Sequence, residues 1–193
     1  MQVTYHGHAC FSVTASGYTV VLDPFRGVKG FEDINLSANE VRCSHGHFDH
    51  CYTEGVQLHP GKSPFAVSAV PCFHDQCGGA KRGENTIHVL EAEGKKIVHL
   101  GDLGHLLTKE DASKIAGCDL LMIPVGGFFT IGPEEALQII KAAAPEQIAP
   151  MHYRDGACGL EQIRSIDDFL DLADEEIRSK LVLVRGYNKT VEL

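Results

Sequence analysis

The stretch Ser44-His45-Gly46-His47-Phe48-Asp49-His50 constrains this chain more than any other. Four side chains able to ligate a metal fall within six residues, in the order His-x-His-x-Asp-His. Imidazole and carboxylate together suit a borderline divalent ion such as zinc, and also manganese or iron. So short a segment cannot enclose an ion. Further ligands must come from distant parts of the chain, and the fold must bring those parts together. A solvated His-rich loop is the bland alternative, but an Asp set between histidines is unusual in one.

The chain approaches this motif through strands. Val3 to Tyr5, Cys10 to Thr14 and Tyr18 to Leu22 alternate as a β-meander with a turn at Ser16-Gly17. Residues 25–38 read as loop, and Glu40 to Cys43 as a short strand that delivers the motif. Beyond His50, Tyr52 to Leu58 holds a helical turn and Phe65 to Val70 a strand ending near His74. Thr86 to Glu91 and Ile97 to Leu100 form a hairpin across Glu93-Gly94. Thr108 with Asp111 caps a short helix, and Leu120 to Val125 is a strand buried on both faces. Pro133 to Ala144 is the best helix, with Pro133 and two glutamates in its first turn and Pro145 as its stop. Ile148 to Met151 is a strand, Ser165 with Asp168 caps a last helix, and Leu181 to Val184 and Thr190 to Leu193 close the chain as strands. Two β-rich halves with interspersed helices predict an α+β fold, two packed sheets with helices on their outer faces, in one domain over residues 1–193.

This pattern supplies the missing ligands. His74 follows one strand, Asp102 follows the hairpin, and His152 follows another strand. Each stands at a strand-to-loop junction, where side chains project from one edge of a sheet. With His45, His47, Asp49 and His50 they make a donor set sufficient for two divalent ions.

Composition narrows the partners. A formal charge of −9 argues against a nucleic-acid or membrane-surface binder and leaves a small-molecule substrate. No apolar run approaches the roughly 20 residues of a membrane span, and no signal-peptide pattern opens the chain, so a cytoplasmic protein is expected. Seven scattered cysteines in a chain of 193 residues suggest structural free thiols rather than disulfide staples, with Cys72 and Cys77 among them.

Several stretches carry a resemblance beyond chemistry. Tyr5-His6-Gly7-His8-Ala9-Cys10-Phe11, Leu22-Asp23-Pro24-Phe25, Ser44 to His50, Arg82-Gly83-Glu84-Asn85-Thr86, His99-Leu100-Gly101-Asp102-Leu103-Gly104-His105, Ile123-Pro124-Val125-Gly126-Gly127 and Ile148-Ala149-Pro150-Met151-His152-Tyr153 span most of the chain. In these the chain resembles the metallo-β-lactamase-fold metal-dependent hydrolases, in the branch of L-ascorbate-6-phosphate lactonase and its uncharacterised relatives. The resemblance implies a four-layer αββα sandwich with the site at one edge of the sheets. It implies His45, His47 and His74 on one metal, Asp49, His50 and His152 on a second, and Asp102 bridging. Zinc or manganese is the implied ion, with iron an alternative. A hydroxide held between the metals is the implied nucleophile, with Asp49 or His152 assisting proton transfer.

The other residues carry smaller expectations. His8 is either a substrate-facing or supporting residue or a packed turn histidine, and His6 lies nearby. Asp23 or Asp75 could orient a metal-bound imidazole, since ligating histidines usually donate their second N–H to a carboxylate. His105 and Thr130 each have a loop reading equal to a site reading; His59, His88 and His99 read as surface or sheet residues. Arg154, Lys81 and Arg82 could hold an anionic group. From His50 to His74 is only 24 positions, shorter than is usual in the branch. That shortening leaves one side of the site for a partner subunit to cover, as in a homo-oligomer. The function expected is hydrolysis of a small anionic ester, lactone or phosphodiester. The alternatives are a mononuclear iron dioxygenase acting on persulfides and a non-catalytic metal-binding or sensing module. A Glu at the position of His47 and a flavin domain, marks of the diiron oxygen-reducing branch, are both lacking.

Overall fold

Alternating apolar residues at the start of the chain become an antiparallel meander in the computed structural model, which describes residues 1–193. Its strands are β1 (Gln2–Gly7), β2 (Cys10–Ala15) and β3 (Tyr18–Leu22). Ser16 and Gly17 turn the second hairpin at φ 49° and 76°, two left-handed positions whose twist matches that of the flanking strands. β4 (Leu36–Ala38) and β5 (Glu40–Arg42) follow. β5 lies parallel to β3, and the closing strand β12 (Lys189–Glu192) pairs antiparallel with β1, giving the order β12-β1-β2-β3-β5. A 3-10 turn at Thr53–Gly55 precedes β6 (Val56–Leu58), which pairs in parallel with β4.

The second sheet holds β7 (Ala66–Phe73), β8 (Glu84–Ala92), β9 (Lys95–His99), β10 (Leu120–Pro124) and β11 (Gln147–Met151), in the order β11-β10-β9-β8-β7. β7, β8 and β9 are antiparallel, whereas β9, β10 and β11 run parallel. The parallel crossovers pass through helices α1 (Lys109–Ile115) and α2 (Pro133–Ala143). In α2, Glu135 reaches back to accept from the Gly132 N–H at 3.1 Å. Ala144 ends the helix in the left-handed region at φ 46°.

β10 shows why the layers hold together. Leu120 and Met122 face the other sheet and pack with Phe11, Leu22 and Met151. Leu121 and Ile123 point the opposite way, into a cluster with Ile139, Ile140 and Phe169. A strand buried on both faces gains about 1.5–3 kcal/mol per large apolar side chain, which fixes its register, since a one-residue slip would exchange the two faces. Helices α3 (Ile166–Leu172) and α4 (Glu175–Ser179) add Ile166, Phe169 and Ile177 to that second cluster. All four helices therefore cover the second sheet. The outer face of the first sheet is closed by Phe25, Val28, Ile34, Ala38 and Val56, from loop and the β4–β6 pair. Between His50 and β6 there is room only for the 3-10 turn.

Two local expectations fail. Residues 181–184 are not a strand: a single bridge joins Leu181 to Ile148, and Leu183 turns left-handed at φ 58°. The segment 25–38 is not all loop, since its last three residues form β4.

Candidate metal centre

Strand ends converge at one edge of both sheets. The parallel pair β3 and β5 brings Asp23 beside Ser44: the Asp23 N–H donates to the Arg42 carbonyl at 3.0 Å. The Asp23 carboxylate accepts from the Ser44 N–H and hydroxyl, both at 2.6 Å. It also lies 2.8 Å from Nδ1 of His50. On the second sheet, His74 follows β7, Asp102 follows β9 and His152 follows β11. Gly101 makes the tight approach between sheets: a Cβ there would lie 2.4 Å from Ser44 Cβ and 2.5 Å from Asn85 Oδ1. Asn85 pins this turn, accepting from Asp102 N–H at 2.9 Å and donating to the Leu100 carbonyl at 2.9 Å.

The seven expected residues come together. Ligating atoms of His45, His47 and His74 lie within 4.8 Å of one another, and so do those of His8, Asp49, His50 and His152. Asp102 stands between the two groups. Its Oδ1 is 3.2 Å from His50 Nε2, and its Oδ2 is 3.2 Å from His74 Nε2 and 3.3 Å from His152 Nε2. His50 Nε2, Asp102 Oδ1 and both ring nitrogens of His152 are nonetheless buried without a hydrogen-bond partner. Buried polar atoms are rarely left unpaired, and of these His50 Nε2 and His152 Nε2 both lie against the Asp102 carboxylate, between the groups. Such a set fits divalent cations, as does its chemistry of imidazole and carboxylate without thiolate.

The electrostatics agree. Burial, with the charge of His50, lowers His45 to about 4. Burial lowers His152 to about 3, against the opposing pull of Asp102. Both rings are therefore neutral at pH 7 and keep a lone pair to donate. Burial would raise the three carboxylates, but the surrounding imidazoles and hydrogen bonds outweigh it. Asp23 falls to about 2, with Asp49 and Asp102 also well below the usual range. Burial would lower His50, yet Asp102 and Asp23 raise it strongly. Three buried carboxylates around His50 make a site that attracts positive charge, and buried charges are ordinarily paired or bound to metal.

The remaining expectations divide. His8 is fully buried, sits in the left-handed region at φ 53°, and places Nε2 3.3 Å from Asp49 Oδ2. It is part of the second group, a place that only the Gly7-His8 turn hinted at. Asp23 contacts His50, but Asp75 does not orient His74. Its carboxylate accepts from the N–H groups of Cys77, Gly79, Lys81 and Arg82, and so folds the loop after His74. His105 is pinned to the backbone of Phe73 and Leu106, and His6 lies 2.9 Å from the Ser12 hydroxyl. His99 is buried between the Ala9 carbonyl and the Gly101 N–H, and His88 contacts the Cys43 carbonyl. Thr130 donates its hydroxyl to the Ile131 carbonyl, and Arg154 is exposed away from the cavity lining. Asn85 and Ser44 escaped notice as supporting residues, although both stand inside the quoted motifs.

One cysteine expectation is overturned. Cys43 and Cys51, which bracket the histidine motif, form a disulfide with Cα atoms 5.3 Å apart. The turn within the motif, closed by the His50 and Cys51 N–H groups on the His47 carbonyl at 3.0 and 2.9 Å, folds the chain back so that the two meet. Cys72 and Cys77 are free thiols. A cavity of about 420 Å³ opens over the centre, lined by His47, Asp49, His74, Asp102 and His152 together with Phe48, Arg82, Phe129 and Leu160.

The arrangement of paired sheets with histidines and aspartates at one edge agrees with the sequence matches. A family model described as a beta-lactamase superfamily domain matches residues 2–152, and the chain belongs to that superfamily. It is a metal-dependent hydrolase of the metallo-β-lactamase fold, and its relatives include the UPF0173 metal-dependent hydrolases. The protein of that name from Pelotomaculum thermopropionicum is 30% identical over 197 residues, covering 79% of this chain and 84% of its own. Its counterpart from Desulforamulus reducens is 29% identical over 192 residues, with the same coverage. Among solved structures, a proposed Zn-dependent hydrolase of the metallo-beta-lactamase superfamily from Thermotoga maritima is 35% identical with a TM-score of 0.71. That match covers 90% of this chain and 86% of the other. A metallo hydrolase from Ignicoccus hospitalis, 20% identical with a TM-score of 0.67 over 100% of this chain and 98% of its own, shares the fold. No helix of the chain is long and apolar enough to cross a membrane.

Proposed function

We propose that the chain is a dinuclear metal hydrolase that cleaves a small anionic ester, lactone or phosphodiester. The observation that carries this reading is Asp102, one carboxylate set between two groups of imidazole donors, with buried atoms on both sides lacking partners. His45, His47 and His74 would hold one ion, Asp49, His50 and His152 the other, and Asp102 would serve both. Zinc or manganese fits these nitrogen and oxygen donors. When bound, the ions supply Lewis acidity and bring the pKa of water toward about 7.

The chain's own residues do the rest. Asp23 holds His50 by Nδ1, leaving Nε2 turned to the centre. Asp49, ionised and at the cavity wall, takes the proton released as water attacks and returns it to the leaving oxygen. His152 can share that role. Phe48, Phe129 and Leu160 limit water around the reacting bond. Metal analysis of protein purified without chelators is expected to find two transition-metal equivalents per chain. One or none would refute the dinuclear reading, and iron with oxygen consumption on a persulfide would replace it by a dioxygenase.

A further inference from the structure

A second cavity, of about 520 Å³, lies beside the metal cavity and shares two residues with it, Arg82 and Phe129. The Arg82 guanidinium lies 5.5 Å from the centroid of the Phe129 ring. This cation–π stack covers one face of the guanidinium and leaves its N–H edge for a ligand. Arg82 is half-buried, and neither it nor the neighbouring Lys81 makes an ion pair.

The acidic groups of the same wall are all engaged. Asp75 accepts four backbone N–H bonds, two of them from Lys81 and Arg82 themselves. Glu134 is bonded to Arg164 at 2.9 and 3.1 Å, and Glu135 to the Gly132 N–H. The lining thus carries three carboxylates and three cations, and Lys81 and Arg82 are the two cations whose side chains are paired with no carboxylate. They are also held in place: the Asp75 carboxylate fixes their backbone, and the His74 N–H donates to the Gly83 carbonyl at 3.1 Å. The loop that presents the cations is therefore tied to a residue of the metal centre.

We propose that this second cavity is a subsite for a carboxylate or phosphate group of the substrate, gripped by Arg82 with Lys81 while the scissile bond lies at the metal centre. The guanidinium fork matches the two oxygens of such a group. The substrate class becomes an ester or lactone with an acidic group set apart from the bond that is cut. This rests on the hydrolase reading above.

The test uses metal-loaded protein and a matched pair of esters, para-nitrophenyl hydrogen succinate and its methyl ester. In Arg82→Gln the ratio of kcat/KM for the anionic over the neutral member should fall about tenfold or more. Lys81→Gln should lower it by less, and Arg82→Lys should restore part of it. An unchanged ratio in a variant with the wild-type melting temperature would overturn the subsite. Calorimetric titration with inorganic phosphate, which needs no turnover, separates the two readings. Binding to wild type that weakens several-fold in Arg82→Gln supports the subsite even if neither ester is cleaved, in which case the hydrolase reading fails for this ester pair. No phosphate binding to wild type, or equal binding to the variant, overturns the subsite.

Discussion

Asp23→Asn isolates the contribution of one buried carboxylate. Asp23 is fully buried, and its two oxygens serve three groups: the Ser44 N–H, the Ser44 hydroxyl and His50 Nδ1. Asparagine fits the space and tolerates the φ of 46° at this position, so the backbone should stay as it is. The amide brings an NH2 group where an oxygen stood. If its oxygen still accepts from the Ser44 N–H, the NH2 faces His50 Nδ1. That pairing is relieved only if His50 shifts its proton to Nε2, which removes the lone pair turned toward Asp102. Replacing such a supporting carboxylate costs 10–100-fold in metal affinity, about 1.4–2.7 kcal/mol. The metal-free protein should lose about 1–3 kcal/mol besides, for one buried group left poorly paired. Zinc titration against a competing indicator chelator measures the first quantity, and urea unfolding in a chelator measures the second. A variant that binds zinc with wild-type affinity would refute the claim that Asp23 sets the His50 tautomer.

Three further outcomes are expected. Asp102→Ala should abolish turnover and reduce bound metal from two equivalents to at most one, with circular dichroism unchanged; activity retained would remove Asp102 from the centre. Ala144→Gly should stabilise the fold by about 0.5–1 kcal/mol in urea unfolding, because a left-handed alanine costs more than the added freedom of glycine, and no change would mean that this helix end relaxes without strain. Asp119, which burial would raise, is held below its ordinary value by the Lys95 ammonium at 2.8 Å and the Lys96 N–H. A depressed carboxylate adds stability above its unfolded pKa of about 3.9. The wild-type advantage over Asp119→Asn should therefore be complete above about pH 5 and disappear as the pH falls through the folded value. An advantage that persisted in acid would refute the assignment.

Elements with a local signal were legible in the sequence. Glu93 and Gly94 adopt the left-handed turn their hairpin called for, and α2 starts at Pro133 as its first-turn residues dictate. Leu120 to Pro124 is buried on both faces, as an unbroken apolar run implies. The candidate donors were legible for a related reason: each lies at the end of a strand or in the loop that follows it, so finding the strands located the residues. What stayed hidden depends on partners far along the chain. β4 and β6 are three residues each and exist only because they pair with each other. α4 buries the single apolar residue Ile177 and has no periodicity to read. Asp75 follows His74, but its role is set by four amides of a loop that bends back on it. Cys43 and Cys51 meet only because of that same kind of return, after the motif between them has folded.

The centre is divided between the sheets, with His8, residues 45–50 and the supporting Asp23 on the first and His74, Asp102 and His152 on the second. This division gives the centre a place in time as well as in space. During synthesis the histidine motif is complete while more than half of the chain, His152 included, has yet to be made. The first sheet itself waits for its last strand, since Gln2 pairs with Glu192. Until then the motif is a partial chelator with no cavity above it, and an ion captured there could be lost or exchanged. Selection among metals would thus be made by the docked sheets, late in folding, rather than by the segment that first announces a metal in the sequence.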